Sequence, residues 1–125
     1  DRKAINVRSW LPDEDASIAM ATLLRRDVVV RAGKDGAYFT RYADSAELTS
    51  THVPPLSVEV IDTNGAGDAH TGVLAACLAE GMSMERGLLL ANCAGALAST
   101  AVGPATCPPR AQIEAAADTP TEQED

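Results

Sequence analysis

The chain has 125 residues, a formal net charge of −8, 46% apolar residues and only 3% aromatic ones. One domain is the expectation at this length, with a core of Ala, Val and Leu and roughly two-thirds of the unfolded chain's surface removed from water. The acidic balance excludes a non-specific nucleic-acid binder, which needs clustered Lys and Arg on phosphates, and an anionic membrane surface. It leaves room for a nucleotide held by backbone amides.

The first eleven residues, DRKAINVRSWL, place Ile5 and Val7 in alternation, as in a short strand. PDEDASIAMATLLRR predicts a helix. Pro12 suits its first turn, acids follow at the positive end, and Arg25 and Arg26 sit at the negative end. Ile18, Ala21 and Leu24 supply its apolar face. DVVVRAGKDGAYFTRYA predicts strand, turn, strand: Val28 to Val30 as a run covered on both faces, GKDG at 33–36 as the turn, Tyr38 and Tyr42 alternating with polar positions. The polar stretch 43–52 connects to VPPLSVEVID, which resumes strand character at Val58, Val60 and Ile61.

After a glycine-rich turn, DAHTGVLAACLAEG predicts a helix that stops at Gly81. Ser83 caps a second helix, MERGLLLANCAGALAST, which Gly103 and Pro104 end. PPRAQIEAAAD forms a third, and the tail TPTEQED reads as disordered. This order suits an α/β layer, a sheet with packed helices. Cys77, Cys93 and Cys107 form no CxxC pair, and with no secretion signal they point to reduced thiols in the cytoplasm, the first two as buried small hydrophobes. No apolar run is long enough for a bilayer, and His52 and His70 are too few to suggest a metal site.

The chemistry concentrates in VEVIDTNGAGDAHTG, residues 58–72. Small residues between a strand end and a helix start point backbone N–H groups at one spot, and the helix adds its positive dipole end. Side chains would obstruct such an anion hole, which accounts for Gly65, Ala66 and Gly67. Asp68 repels phosphate, so pure binding gains nothing from it. Beside a bound phosphoryl group a carboxylate suits a general base, accepting a hydroxyl proton while amides neutralise the developing charge. Asp62, at the strand end, is placed for a cation or to brace the turn. Equally, Asp62 and Asp68 fit a plain turn residue and a plain helix-start residue. The P-loop pattern GxxxxGK[ST] does not occur, and His70 stands where a dinucleotide fingerprint needs its third glycine.

DTNGAGDAHTG closely resembles the second signature of the ribokinase-like (PfkB) carbohydrate kinases, commonly DTxGAGDxFxxG. Upstream, VVVRAGKDGAYF resembles the family's vvvTlGxxGa strand-turn-strand segment. Downstream, ANCAGALASTAVGPATCPPRAQIEA resembles its closing helices. The three segments, in order, cover about residues 27–117. The resemblance implies a ribokinase-like layered fold, present as its C-terminal portion, and phosphorylation of a sugar hydroxyl by ATP with Mg2+. It implies Asp68 as the base and the amides of Gly65, Ala66 and Gly67 as the anion hole. Gly33 and Gly36, with Lys34 and Asp35 between them, would line the ATP phosphates, and Asn92 with the small residues after it would lie beside the adenine. In members activated by a monovalent cation such as K+, Asp62 and the carbonyl of Asn64 hold the ion, the carbonyls of Ala98, Ala101 and Gly103 complete the loop, and position 107, here Cys107, contributes last. Taken singly, GKDG also fits a hairpin turn, Asn92 an internally bonded core amide, and residues 98–107 a plain helix stop.

Several positions depart from the family pattern. Arg31 replaces a threonine, removing a hydroxyl near the phosphates while offering a guanidinium that pairs with them. His70 replaces an aromatic, and Cys107 a residue that is often serine. The Asn-x-x-Glu segment that organises magnesium in the family has no copy before the VVV run, and the family's N-terminal sugar-contacting and lid portion is missing. The expectation is therefore a lead-in over 1–26, the ATP-binding and catalytic part over 27–117 and an acidic tail over 118–125, with the acceptor half absent. Alternatives are a nucleoside or other small-alcohol kinase of the same fold, and a nucleotide-binding remnant without catalysis. ATP and a small sugar-like acceptor are the implied partners, and an uncovered sheet edge implies a homodimer or other association.

Overall fold

The computed structural model describes residues 12–44 and 46–119. The expected strand at Ile5 and Val7 and all but Thr119 of the expected disordered tail lie outside the described residues. The chain divides between Pro54 and Pro55 into two compact units.

In the first unit, α1 (Asp13–Leu24) carries Asp13, Glu14 and Asp15 in its first turn, where the dipole favours acids. It ends at Arg25, whose left-handed backbone (φ 57°) lets its N–H donate to the Ala21 carbonyl at 2.8 Å. The buried face is Ala16, Ser17 and Ala21. This corrects the expected Ile18–Ala21–Leu24 stripe: Leu24 is 51% exposed, and the helix meets the sheet through small residues that allow close approach. The Ser17 hydroxyl donates to the Glu14 carbonyl (2.9 Å) and lies 2.8 Å from Thr40 Oγ1 and 3.0 Å from Ser50 Oγ, satisfying a polar cluster at the helix–sheet seam.

The sheet has the order β1 (Val28–Arg31), β2 (Ala37–Thr40), β3 (Ser50–Val53), all antiparallel. β1 and β2 form the expected strand-turn-strand, with Val30 opposite Tyr38 and Arg31 opposite Ala37. The double covering expected of Val28 to Val30 holds only in part, since Val30 is buried while Val28 and Val29 are half-buried. β3 takes Ser50 to His52 from the stretch read as a polar connection and Val53 from the run expected to resume a strand, and the expected strand at Val58–Ile61 is not formed. Pairing decided both outcomes. β3 has β2 as a partner, whereas the amides of Ile61 and Asp62 both donate to the Ser99 carbonyl (2.8 and 3.0 Å), and Val60 and Ile61 are more than half exposed.

The second unit is built on α2 (Ala66–Ala79), α3 (Met84–Ala98) and α4 (Arg110–Asp118). Gly81 (φ 84°) ends the first of these turns as expected: its N–H donates to Leu78 and that of Met82 to Cys77. Ser83 Oγ caps α3 by accepting the Arg86 N–H at 3.1 Å. Gly87 and Gly95 let α3 lie close to α2; a Cβ on Gly87 would sit 3.3 Å from Leu74 Cδ1, and one on Gly95 3.2 Å from the Ala66 carbonyl oxygen. Cys77, Leu90, Cys93, Ala94 and Ile113 form the core, and burial pushes both thiols above their ordinary pKa. Arg110, at the start of α4, reaches both Glu80 oxygens (2.7 and 2.8 Å) and Glu114 (2.8 Å), tying α4 to the end of α2.

Candidate active site

The glycine turn lies partly inside the helix. α2 begins at Ala66, two residues before the expected start, with Gly65 as its N-cap in the left-handed region (φ 87°). A Cβ on Gly65 would also lie 2.8 Å from the Pro104 carbonyl carbon and closer still to its oxygen, so glycine is required there twice over. The Ala66 N–H donates back to the Thr63 carbonyl (3.1 Å), and the first helical bond runs from the Ala69 N–H to the Gly65 carbonyl (3.0 Å). Gly67 and Asp68 are exposed in the first turn.

Asp62 ties this turn to the loop after α3. Its Oδ1 accepts the Asn64 N–H and its Oδ2 the Gly103 N–H, both at 3.0 Å. Those two amides, Gly103 first, hold its carboxyl below the ordinary aspartate pKa. With the Ile61 and Asp62 amides on Ser99 and Gly65 against Pro104, the segment 61–65 is laced to 99–104 along its length.

An open cleft of about 330 Å3 lies alongside, lined by Gly65, Asp68, Ala69, Gly72, Pro104, Ala105 and Cys107 among others. Asp68 is thus an exposed carboxylate on the wall of a cleft, at the dipole-positive end of a helix. Pro104, expected only as a helix stop, and Ala105 and Gly72 were not expected at the site. Gly-Pro at 103–104 signals a turn, but nothing local says that the turn folds back onto Gly65.

The structure also distributes the expected cation ligands. Asp62 and Gly103 are brought together, and Asn64 and Ala101 lie exposed in the same two loops. Ala98 is buried, with its carbonyl already accepting the Thr106 hydroxyl at 2.6 Å, and the exposed Cys107 is among the residues that line the cleft. The oxygens of Asp62, Asn64, Ala101 and Gly103 have the hardness a K+ ion needs, and the sulfur of Cys107 does not. Among the described residues no group of three or more His, Cys, Asp and Glu side chains could hold a metal.

Asn92 is 7% exposed, and its Oδ1 accepts the His70 Nε2–H at 2.9 Å. This arrangement fits the internally bonded core amide, with His70 packing rather than facing the cleft. Arg31, Gly33, Lys34, Asp35 and Gly36 all belong to the first unit. There Gly33–Asp35 forms a single 3-10 turn between β1 and β2, with Gly33 at φ 58° and Gly36 at φ 91°. His52, not anticipated from sequence, meets this turn: its Nε2 lies 2.6 Å from the Asp35 carbonyl.

Comparison with known proteins places this geometry. The model of the pfkB family of carbohydrate kinases matches residues 8–111. A bifunctional protein HldE from Acidiphilium cryptum is 38% identical over 109 residues, which are 84% of this chain and 22% of that protein. The Thermotoga maritima ribokinase superposes with a TM-score of 0.75 at 27% identity, covering 88% of this chain and 36% of the ribokinase. The Arabidopsis thaliana ribokinase complexed with ribose and ATP gives a TM-score of 0.69 at 26% identity, over 84% of this chain and 34% of that one. The chain belongs to the pfkB family of carbohydrate kinases and has a ribokinase-like α/β fold. It spans about a fifth of the HldE relative and about a third of the two ribokinases.

Proposed function

We propose that this chain supplies the ATP-binding and base-bearing part of an ATP-dependent sugar kinase. The observation that carries the reading is Asp68, exposed on the cleft wall in the first turn of α2 beside the Gly65 bend. Its carboxylate takes the proton of the acceptor hydroxyl as that oxygen bonds to the γ-phosphorus. The bond from phosphorus to the β-phosphate bridging oxygen breaks, and its electron pair leaves with ADP. The amides of Gly65, Ala66 and Gly67, with the α2 dipole, offset the charge on the transferred group. Ala66 contributes only by giving up or sharing its bond to Thr63.

The Gly33–Gly36 turn receives the ATP phosphates, with Arg31 at the end of the strand that feeds it, and α3 beyond Asn92 lies beside the adenine. Mg2+ supplies charge neutralisation on the phosphates. Asp62, Asn64, Ala101 and Gly103 would hold K+, whose field would rigidify the loop against Gly65. The chain spans about a third of the two ribokinases, and transfer would be slow wherever an acceptor is not held in place beside Asp68. Orientation of the acceptor is worth ~7–11 kcal/mol in such a reaction.

Titration of the 125-residue chain with Mg·ATP, followed through backbone amide resonances, tests the reading. Shifts should cluster at Gly33–Gly36 and Gly65–Asp68. Shifts confined to other segments, or none at millimolar nucleotide, would overturn it.

A further inference from the structure

We propose that His52 is the positioning residue of the Gly33–Gly36 turn, an inference that rests on the reading of that turn as the ATP phosphate contact. The turn's own hydrogen bonds use the Asp35 N–H (to Ala32, 3.0 Å), the Gly36 N–H (to Gly33, 3.1 Å) and the Gly36 carbonyl (from the Ala32 N–H, 2.7 Å). Its amides at Gly33 and Lys34 would then receive a phosphate. The Asp35 carbonyl and the Gly36 N–H share one peptide plane. Glycine at position 36 makes that plane easy to flip, because both backbone hands are open to it. A flip would swing the Gly36 N–H off Gly33 and undo the turn.

His52 opposes the flip. Its Nε2 lies 2.6 Å from the Asp35 carbonyl oxygen, and a carbonyl only accepts, so Nε2 carries the proton. The ring is placed by β3, where His52 pairs with Tyr38 across the ladder. It also stacks on the half-buried Tyr38 ring at 4.6 Å between centroids and 27° between planes. The register of β3 thus fixes the orientation of a peptide in the turn. Both His52 and Asp35 are exposed, so water competes and the effect is that of one hydrogen bond.

The full chain is compared with His52→Phe, which keeps a ring on Tyr38 without the donor, and His52→Gln, which returns a donor near the Nε2 position without the ring. Above neutral pH the imidazole nitrogen spectrum of the unsubstituted chain should show Nε2 protonated and Nδ1 bare; the opposite or a mixed tautomer overturns the proposal. Mg·ATP affinity, read from the Gly33–Gly36 amides, should weaken roughly threefold to tenfold in His52→Phe, as one lost hydrogen bond allows, and stay within about twofold in His52→Gln. Unchanged affinity in His52→Phe overturns the positioning role and leaves the nucleotide reading standing. Absent shifts at Gly33–Gly36 in the unsubstituted chain overturn that reading and the proposal with it. If His52→Phe does not fold, a folded His52→Gln with weakened affinity refutes the role and one with retained affinity supports it.

Discussion

Gly65 packs its α-carbon against the Pro104 carbonyl so closely that no side chain fits between them. That contact, rather than the flexibility of glycine alone, joins the start of α2 to the loop that follows α3. Gly65→Ala should therefore cost more than the ~1–2 kcal/mol of a left-handed alanine, because Pro104 must also move. Urea unfolding should place the loss above about 2 kcal/mol. A loss below 1 kcal/mol on the same roughly additive scale would mean the contact is not maintained in solution.

Asp68→Asn should remove the proposed base and keep the fold, since the side chain is exposed and Asn has nearly the same shape as Asp. In a chimera where residues 27–117 replace the matching part of the Thermotoga maritima ribokinase, ADP release with ribose should fall about 10²–10⁴-fold, with ATP affinity changed little. Retained turnover would assign the proton to another group.

Asp62 makes a pH prediction. Its folded pKa is depressed by the Gly103 and Asn64 amides, so its contribution to stability is present above the unfolded aspartate pKa. It is lost as pH falls through the folded value. The stability gap between the unsubstituted chain and Asp62→Asn should be full at neutral pH and close on the acid side of the ordinary aspartate range. A gap independent of pH from neutral to strongly acid solution would show that the carboxylate charge plays no part in joining the two loops.

Asn92→Ala separates a core role from a nucleotide role. Leaving the buried His70 Nε2–H without this acceptor should destabilise the chain by about 1–3 kcal/mol. Mg·ATP affinity of the folded fraction should be little altered if the amide is wholly internal. A selective loss of affinity with stability intact would return Asn92 to the adenine.

Val60 and Ile61 are apolar and more than half exposed, in a segment whose sequence pattern is that of a strand. Neighbouring exposed apolar side chains favour association. Sedimentation should show a dimer or larger species growing with concentration, and Ile61→Lys should shift the chain toward monomer. A monomer at all concentrations in both forms would remove association from the account.

The three helices of the second unit, the Gly81 stop, the Ser83 cap and the β1–turn–β2 hairpin were legible from sequence because each is specified locally, by period, cap or turn chemistry within a few residues. The carboxylate beside the glycine turn was legible for the same reason, since a glycine run followed by Asp at a helix start is a local pattern. Partners distant in the chain were not legible. Nothing near Ser50–Val53 says that β2 will accept it as a strand, and nothing near Val58–Ile61 says that Ser99 will take the amides a strand would need. Likewise Asp62 was visible as an acid, but the choice of Gly103, 41 residues away, as its partner belongs to the tertiary structure. Local backbone preference is written in neighbouring residues, whereas which carbonyl, amide or ring completes a site depends on pairing across the fold, where hydrogen bonds are shared among segments that compete for them.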